Sequence, residues 1–166
     1  MKNILSYLFA FNTLTQEEAR DVLYGIGSGQ YNQSEIAAFL TAYQMRSITV
    51  AELAGFQEAM LDLCKSVDLS FYDVMDVCGT GGDGKDTFNI STLAAFVVAG
   101  AGQAVAKHGN HGVSSSCGSS TVLEYLGYQF TSDYGQLQYS IERANICFLH
   151  APLFHPAMKK VAPIRR

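Results

Sequence analysis

Apolar residues recur at intervals of three and four along the first 65 positions, which predicts short amphipathic helices. Three of these segments begin with a capping box, in which the first side chain accepts a hydrogen bond from a helical amide and a glutamate three positions later reaches back. The boxes span Thr15–Glu18, Asn32–Glu35 and Thr49–Glu52. A shorter first helix is predicted to carry an apolar face made of Ile4, Leu5, Leu8 and Phe9. We therefore expect a bundle of four helices, with this face left for a partner.

After Asp68 the pattern changes to alternating strands and helices. Short apolar segments predict strands at Val74–Cys78, Ala104–Lys107 and Ile146–Leu149. Helices are predicted at Ile90–Ala101, Ser120–Leu126 and Asp133–Ala144. The first of these is apolar all round and is expected to be buried. Such alternation is typical of a parallel α/β sheet. We predict an α/β fold, with a small helical bundle at residues 1–68 and the first part of a parallel α/β domain at residues 69–166.

Composition narrows the class of protein. The chain has 166 residues, of which 48% are hydrophobic and 16% charged, and this excludes intrinsic disorder. A net charge of −4 gives no basic field for nucleic acid. No stretch approaches the roughly 20 apolar residues that a membrane span requires. The four cysteines lack zinc-finger or C-x-x-C spacing, so we expect reduced thiols in a cytoplasmic protein.

The densest chemical signal is a glycine-rich segment, Gly79–Thr92, directly after the first predicted strand. Its glycine spacing imitates a dinucleotide fingerprint, but the next strand ends in Lys107 rather than in an acid that could hold a ribose. It also imitates a P-loop, but Asp86 stands where a magnesium-binding Ser or Thr is required. A glycine turn that leads into a helix remains, and its free amides can cradle a phosphate.

Polar side chains reinforce this predicted phosphate cradle. Hydroxyl and amide groups cluster at the start of the helix, at Thr87, Asn89, Ser91 and Thr92. Asp83 and Asp86 would repel a bare phosphate, so a divalent cation between acid and phosphate is expected.

A second polar loop, Lys107–Ser119, follows the second predicted strand. Lys107 offers a point charge for phosphate. Hydroxyl donors are expected from Ser114, Ser115 and Ser119. Although His108 and His111 could suggest a metal, a third ligand at zinc-like spacing is missing, so no zinc site is predicted.

Four motifs together resemble the anthranilate phosphoribosyltransferase family of tryptophan biosynthesis. They are Asp76–Asp83, Thr87–Thr92, Lys107–Asn110 and His155–Arg165. The resemblance implies a helical domain joined to an α/β domain, homodimers formed through the helical domain, and Mg²⁺ as cofactor. The family continues well past Arg166. This chain is therefore expected to be truncated, to lack an acidic magnesium-binding pair and further strands, and to be inactive alone.

The resemblance also implies roles for individual residues. Those that match the site for phosphoribosyl pyrophosphate (PRPP) are Gly79, Gly82, Asp83, Thr87, Asn89, Ile90, Ser91, Thr92, Lys107, His108, Gly109, Asn110, His111, Gly112, Val113, Ser114, Ser115 and Ser119. Ser91 matches a magnesium ligand. Gly79, Asn110 and Arg165 match positions that contact anthranilate. The family often carries arginine where His111 stands and lysine where Ser116 stands.

The implied reaction transfers the phosphoribosyl group of PRPP to the amine of anthranilate and releases pyrophosphate. The amine is already nucleophilic, so we expect electrostatic stabilisation of the leaving group and no general base. Two alternatives remain. One is a non-catalytic phosphoribosyl-ligand-binding or dimerisation module. The other is a relative of pyrimidine nucleoside phosphorylase, which would favour a Lys-His-Ser-Thr loop over the Gly79–Asp83 turn.

Overall fold

The computed structural model describes residues 1–79, 88–112 and 117–164, without the side chains of residues 159 and 160. Contacts divide the chain into two compact units. The first, called here the helical unit, comprises Met1–Lys65 and His155–Arg166, and the second, the α/β unit, comprises Ser66–Phe154. No helix in the described ranges combines the length and the hydrophobicity that crossing a bilayer requires.

The helical unit contains the four predicted helices within residues 1–65, all of them described. They are α1 (Lys2–Phe9), α2 (Gln16–Ser28), α3 (Gln33–Met45) and α4 (Val50–Asp62). All three capping boxes are confirmed, because each cap side chain accepts from the glutamate amide and each glutamate accepts from the cap amide. The signal is local in sequence, which is why it predicts helix starts well.

The core of the helical unit corrects one expectation about α1. The buried residues of this core are Leu8, Leu14, Ala19, Val22, Ile26, Ile36, Phe39, Ala42 and Val161. Leu8 is therefore a core residue and does not belong to a partner-facing surface. Phe9 and Phe11, by contrast, are 60% and 83% exposed.

A buried carboxylate joins the segments of the helical unit. Glu52 is fully buried, although it also closes the capping box of α4. It accepts hydrogen bonds from the Leu14 amide (3.0 Å), the Tyr43 hydroxyl (2.9 Å) and the Thr49 amide (2.9 Å), and it pairs with Arg46. Burial alone would raise the pKa of Glu52, but these donors outweigh it and lower the pKa to about 2.

The α/β unit is built on a parallel pair of strands, β1 (Val105–Gly109) and β2 (Ile146–His150), with Val105 opposite Ile146. Around them lie α5 (Ile90–Gly100), α6 (Ser119–Tyr125), α7 (Tyr134–Ala144) and the single-turn α8 (Ala151–Phe154), while α9 (Met158–Val161) belongs to the helical unit. One sheet face packs with Ala95 and Ala99 of α5, and the opposite face packs with Leu137 and Ile141 of α7.

The predicted first strand, Val74–Cys78, is wrong as an extended strand. In the described part of this segment, a single residue, Met75, bridges in parallel to Val105. The ladder stops there because the His108 amide of β1 donates to the side chain of Asp76 (3.2 Å). A side-chain carboxylate thus takes the place of a backbone acceptor.

The expectation that α5 is buried on all sides is also wrong. Ile90, Leu93, Phe96 and Val97 are exposed, Ile90 by 68%. The small residues Ala95 and Ala99 form the buried face, since they let the helix lie close to the strands. The bounds of β1, β2, α5, α6 and α7 agree with their predictions to within two residues.

Candidate functional site at the carboxyl end of strand β1

Lys107 is the central charged residue of the candidate site. It lies on β1, is 1% exposed, and donates through Nζ to the Val77 carbonyl and the Ser91 hydroxyl, both at 3.2 Å. Burial lowers the pKa of Lys107, and the nearby Cys78 and Asp76 partly oppose this. Among the described residues no carboxylate forms an ion pair with the Lys107 ammonium. A buried cation that no carboxylate pairs with directly favours an anionic ligand.

The N-terminus of α5 lies beside this ammonium group. Ser91, which accepts from Lys107, is the second residue of the helix. In the described part of the chain Asn89 provides no side-chain cap, and the hydroxyl of Thr92, only 4% exposed, has no hydrogen-bond partner. A helix start with free amides attracts anions. The unpartnered hydroxyl is a further donor for such a ligand.

Gly79 fits its position against this helix start. A Cβ atom at Gly79 would lie 3.1 Å from the Ser91 hydroxyl oxygen, which is closer than most real contacts. The absence of a side chain therefore lets the chain pass directly next to Ser91. Gly79, Ser91, Thr92 and Lys107 form one group of predicted residues, called here the anion cluster.

The loop after β1 packs against the start of α6, and the predicted site residues in this loop form a second group. A Cβ atom at Gly109 would lie 3.2 Å from the Ser119 Cβ, and one at Gly118 would lie 2.8 Å from the Asn110 carbonyl oxygen. That carbonyl accepts from the Ser120 amide (3.1 Å). The predicted residues Asn110, His111 and Gly112 are exposed in this loop.

His108 follows Lys107 on β1 and contacts the segment that precedes the glycine turn. Its Nδ1 lies 3.8 Å from the Cys78 Sγ, and its amide donates to Asp76. The structure therefore adds Asp76 and Cys78 as neighbours of the site. Their place immediately before the glycine turn is the sequence signal that could have identified them.

Several predicted residues lie outside the described part of the chain. They are Gly82, Asp83, Thr87, Val113, Ser114, Ser115 and Arg165. Asn89 and Ile90 are described and stand at the N-cap and the first position of α5.

Two solved structures share the architecture described above. The anthranilate phosphoribosyltransferase of Thermus thermophilus aligns with a TM-score of 0.83 and 37% identity, over 97% of this chain and 49% of that one. The Saccharomyces cerevisiae enzyme, solved in complex with PRPP and Mg, aligns with a TM-score of 0.84 and 30% identity, over 99% of this chain and 50% of that one.

Sequence relatives confirm the resemblance to anthranilate phosphoribosyltransferases. The enzyme of that name from Christiangramia forsetii is 60% identical over all 166 residues, which cover 50% of its length. The chain thus spans about half the length of the curated relatives it matches. Residues 2–64 match the helical bundle domain of a glycosyl transferase family, and residues 71–166 match the a/b domain of that family. The chain therefore belongs to this glycosyl transferase family.

Proposed function

We propose that the chain binds PRPP at the anion cluster and forms the donor-binding part of an anthranilate phosphoribosyltransferase. The main support is the buried ammonium group of Lys107, which donates a hydrogen bond to the Ser91 hydroxyl at the start of α5. Among the described residues, no carboxylate forms an ion pair with it. A pyrophosphate group supplies the negative charge that this arrangement lacks. The relatives named above, one of them solved with PRPP and Mg, support the choice of donor.

The oxygen chemistry of the anion cluster fits Mg²⁺ when a phosphate is present. The Ser91 hydroxyl is an oxygen ligand of the kind that Mg²⁺ prefers, but its neighbour Lys107 already donates to it. Magnesium usually takes its remaining ligands from substrate phosphates and water. We therefore propose that Ser91 holds Mg²⁺ together with the pyrophosphate, and that Asp83 assists. The ion would neutralise charge on the leaving group.

The residues of the chain would then act by position and charge. Lys107 and the first amides of α5 hold the pyrophosphate and stabilise the negative charge that grows as it leaves. Asn110, exposed in the loop after β1, is proposed to contact anthranilate together with Gly79 and Arg165. The amine of anthranilate attacks without the help of a basic side chain.

Calorimetric titration of the chain with PRPP in the presence of Mg²⁺ tests donor binding. Lys107→Met removes the charge but keeps an unbranched apolar stem in the buried site. Because a charged hydrogen bond contributes about 1.5–3 kcal/mol, the dissociation constant should rise about 10- to 100-fold. Lys2→Met, which removes an exposed lysine of the helical unit, is the control. Equal affinities of the two variants would contradict the proposal.

Two further ligands separate the alternatives. Binding of inorganic phosphate and a pyrimidine nucleoside, without binding of PRPP, would identify a nucleoside phosphorylase relative. Consumption of anthranilate would be seen as a loss of its fluorescence. Because the 166 residues cover half the length of their relatives, we expect them to bind PRPP but to cause no such loss. Steady turnover by the chain, with its mass verified, would show that catalysis does not require the half of the relatives' length that this chain does not cover.

We also propose that the helical unit mediates self-association in the cytoplasm. The exposed rings of Phe9 and Phe11 support this, because exposed apolar patches mark partner surfaces. Phe9→Asp should shift the sedimentation of the chain toward monomer, whereas Tyr125→Asp, at a 91% exposed position of the α/β unit, should not. Identical sedimentation of both variants and the parent chain would contradict this interface.

A further inference from the structure

A cluster of two histidines and a glutamate lies at the carboxyl ends of β1 and β2, and it shares no residue with the anion cluster. His111 comes from the loop after β1, Glu124 from α6 and His150 from the last position of β2. Each offers one ligand atom, and the three atoms lie within 4.8 Å of one another. His111 Nε2 is 3.1 Å from Glu124 Oε2, and the rings of His111 and His150 have centroids 4.8 Å apart.

His150 is held rigidly in this cluster. It is 7% exposed, and its ring stacks on Phe130 with centroids 4.6 Å apart. Its Nδ1 lies 2.8 Å from the Ser120 hydroxyl oxygen, which leaves Nε2 as the nitrogen available to a ligand. Burial and the neighbouring His111 lower the pKa of His150. A histidine fixed through one ring nitrogen and open at the other is the arrangement that metal-binding histidines show.

The other two groups are free to adjust. The side chains of His111 and Glu124 are about half exposed, so small rotations can bring them closer to His150. In a tetrahedral zinc site with bonds near 2.0–2.1 Å, ligand atoms are separated by roughly 3.4 Å. The present separations are close enough for such rotations to reach that geometry.

We propose that His111, Glu124 and His150 form a binding site for a divalent transition-metal ion, with Zn²⁺ as the best match. Two imidazole nitrogens and one carboxylate are a ligand set that zinc uses while leaving a fourth position for water. Magnesium, with its preference for oxygen, fits this set poorly. The bound ion would link the loop after β1 to α6 and to the end of β2. The proposal does not depend on PRPP binding.

Competition titration of the metal-free chain with Zn²⁺ against a chromogenic chelator, without PRPP, tests this site. One zinc per chain is expected. Glu124→Gln and His111→Gln change exposed side chains, so the fold should survive, and each should weaken zinc binding by about 10-fold or more. Ser120→Ala, which releases the ring of His150, should weaken it by about 10- to 100-fold. Co²⁺ in place of Zn²⁺ should give the intense visible absorption of a tetrahedral complex, and His111→Gln should remove it.

Two matched controls make the result specific. Glu142→Gln removes an exposed carboxylate of the same unit and should leave zinc affinity unchanged. Cys78→Ser alters a second group, Asp76, Cys78 and His108, whose ligand atoms are also close together, and should leave it unchanged as well. Zinc affinity that falls in Cys78→Ser but not in Glu124→Gln would overturn the proposal. So would the absence of zinc binding, or equal affinities in Glu124→Gln and Glu142→Gln.

Discussion

Replacement of Glu52 by glutamine should destabilise the helical unit more than the loss of a solvent-exposed charge among its described residues. The carboxylate accepts from groups on three separate segments, namely Leu14, Tyr43 and the start of α4 at Thr49, and it neutralises Arg46. Glutamine presents an NH₂ group to some of these donors and leaves the largely buried guanidinium of Arg46 uncompensated.

The size of the effect follows from the pKa of the carboxyl group. A glutamate whose pKa falls from 4.5 when unfolded to about 2 when folded stabilises the folded chain by about 3 kcal/mol at neutral pH. The loss of one partner from a buried ion pair has a similar cost of about 3–5 kcal/mol. Because the folded pKa is the lower one, this stabilisation is complete above 4.5, shrinks as the pH falls, and is lost below about 2.

Urea unfolding followed by far-UV circular dichroism, from neutral pH down to about pH 2, measures both quantities. Glu52→Gln should lower the free energy of unfolding by about 3 kcal/mol at neutral pH, and the gap to the parent chain should narrow in acid. The control is Glu35→Gln, since Glu35 closes the capping box of α3 in the same way but is only partly buried. The Glu35→Gln substitution should lower the free energy of unfolding by no more than about 0.5 kcal/mol. Equal losses in both variants, or a gap that persists unchanged at about pH 2, would refute the reasoning.

Two further predictions concern packing and access. Gly55→Ala should destabilise the helical unit by about 1–3 kcal/mol in thermal unfolding, because the new Cβ would lie 2.9 Å from the Arg20 amide nitrogen of α2. Gly100→Ala, with no described atom within 4 Å of the new Cβ, should be neutral or stabilising, and a similar loss in both would contradict the packing argument. Burial raises the pKa of Cys147 to about 11, so at about pH 8 a thiol reagent should modify the other three cysteines and reach Cys147 only in urea. Mass spectrometry counts the adducts, and four adducts on the native chain would show that β2 is accessible.

The sequence predicted those parts of the fold that local signals control. Capping boxes mark helix starts through contacts between residues three positions apart, and these were correct in the helical unit. The strand at Val74–Cys78 failed because a side chain, Asp76, replaces the backbone acceptor. No periodicity of apolar residues contains that information.

Long-range contacts explain what the sequence did not show about the candidate site. Lys107 and Ser91 were both selected from their motifs, but their direct contact spans 16 positions and depends on how α5 packs on β1. The sequence offered His108 and His111 as a pair without a third ligand, whereas in the fold the ligand atom of His111 lies close to those of Glu124 and His150, 13 and 39 positions away. Such spacings follow from strand register and helix placement, and neither leaves a local pattern.

The buried ammonium of Lys107 would link the stability of the protein to any anion that binds beside it. A cation that pairs with no carboxylate in the described ranges makes the free fold less stable than an apolar side chain there would. An anion bound beside Lys107 would offset this cost of burying the charge. Its negative charge would therefore favour binding whatever the shape of the anion. Anion binding at Lys107 and resistance to unfolding would thus depend on the same charge, and a substitution that changes one would change the other.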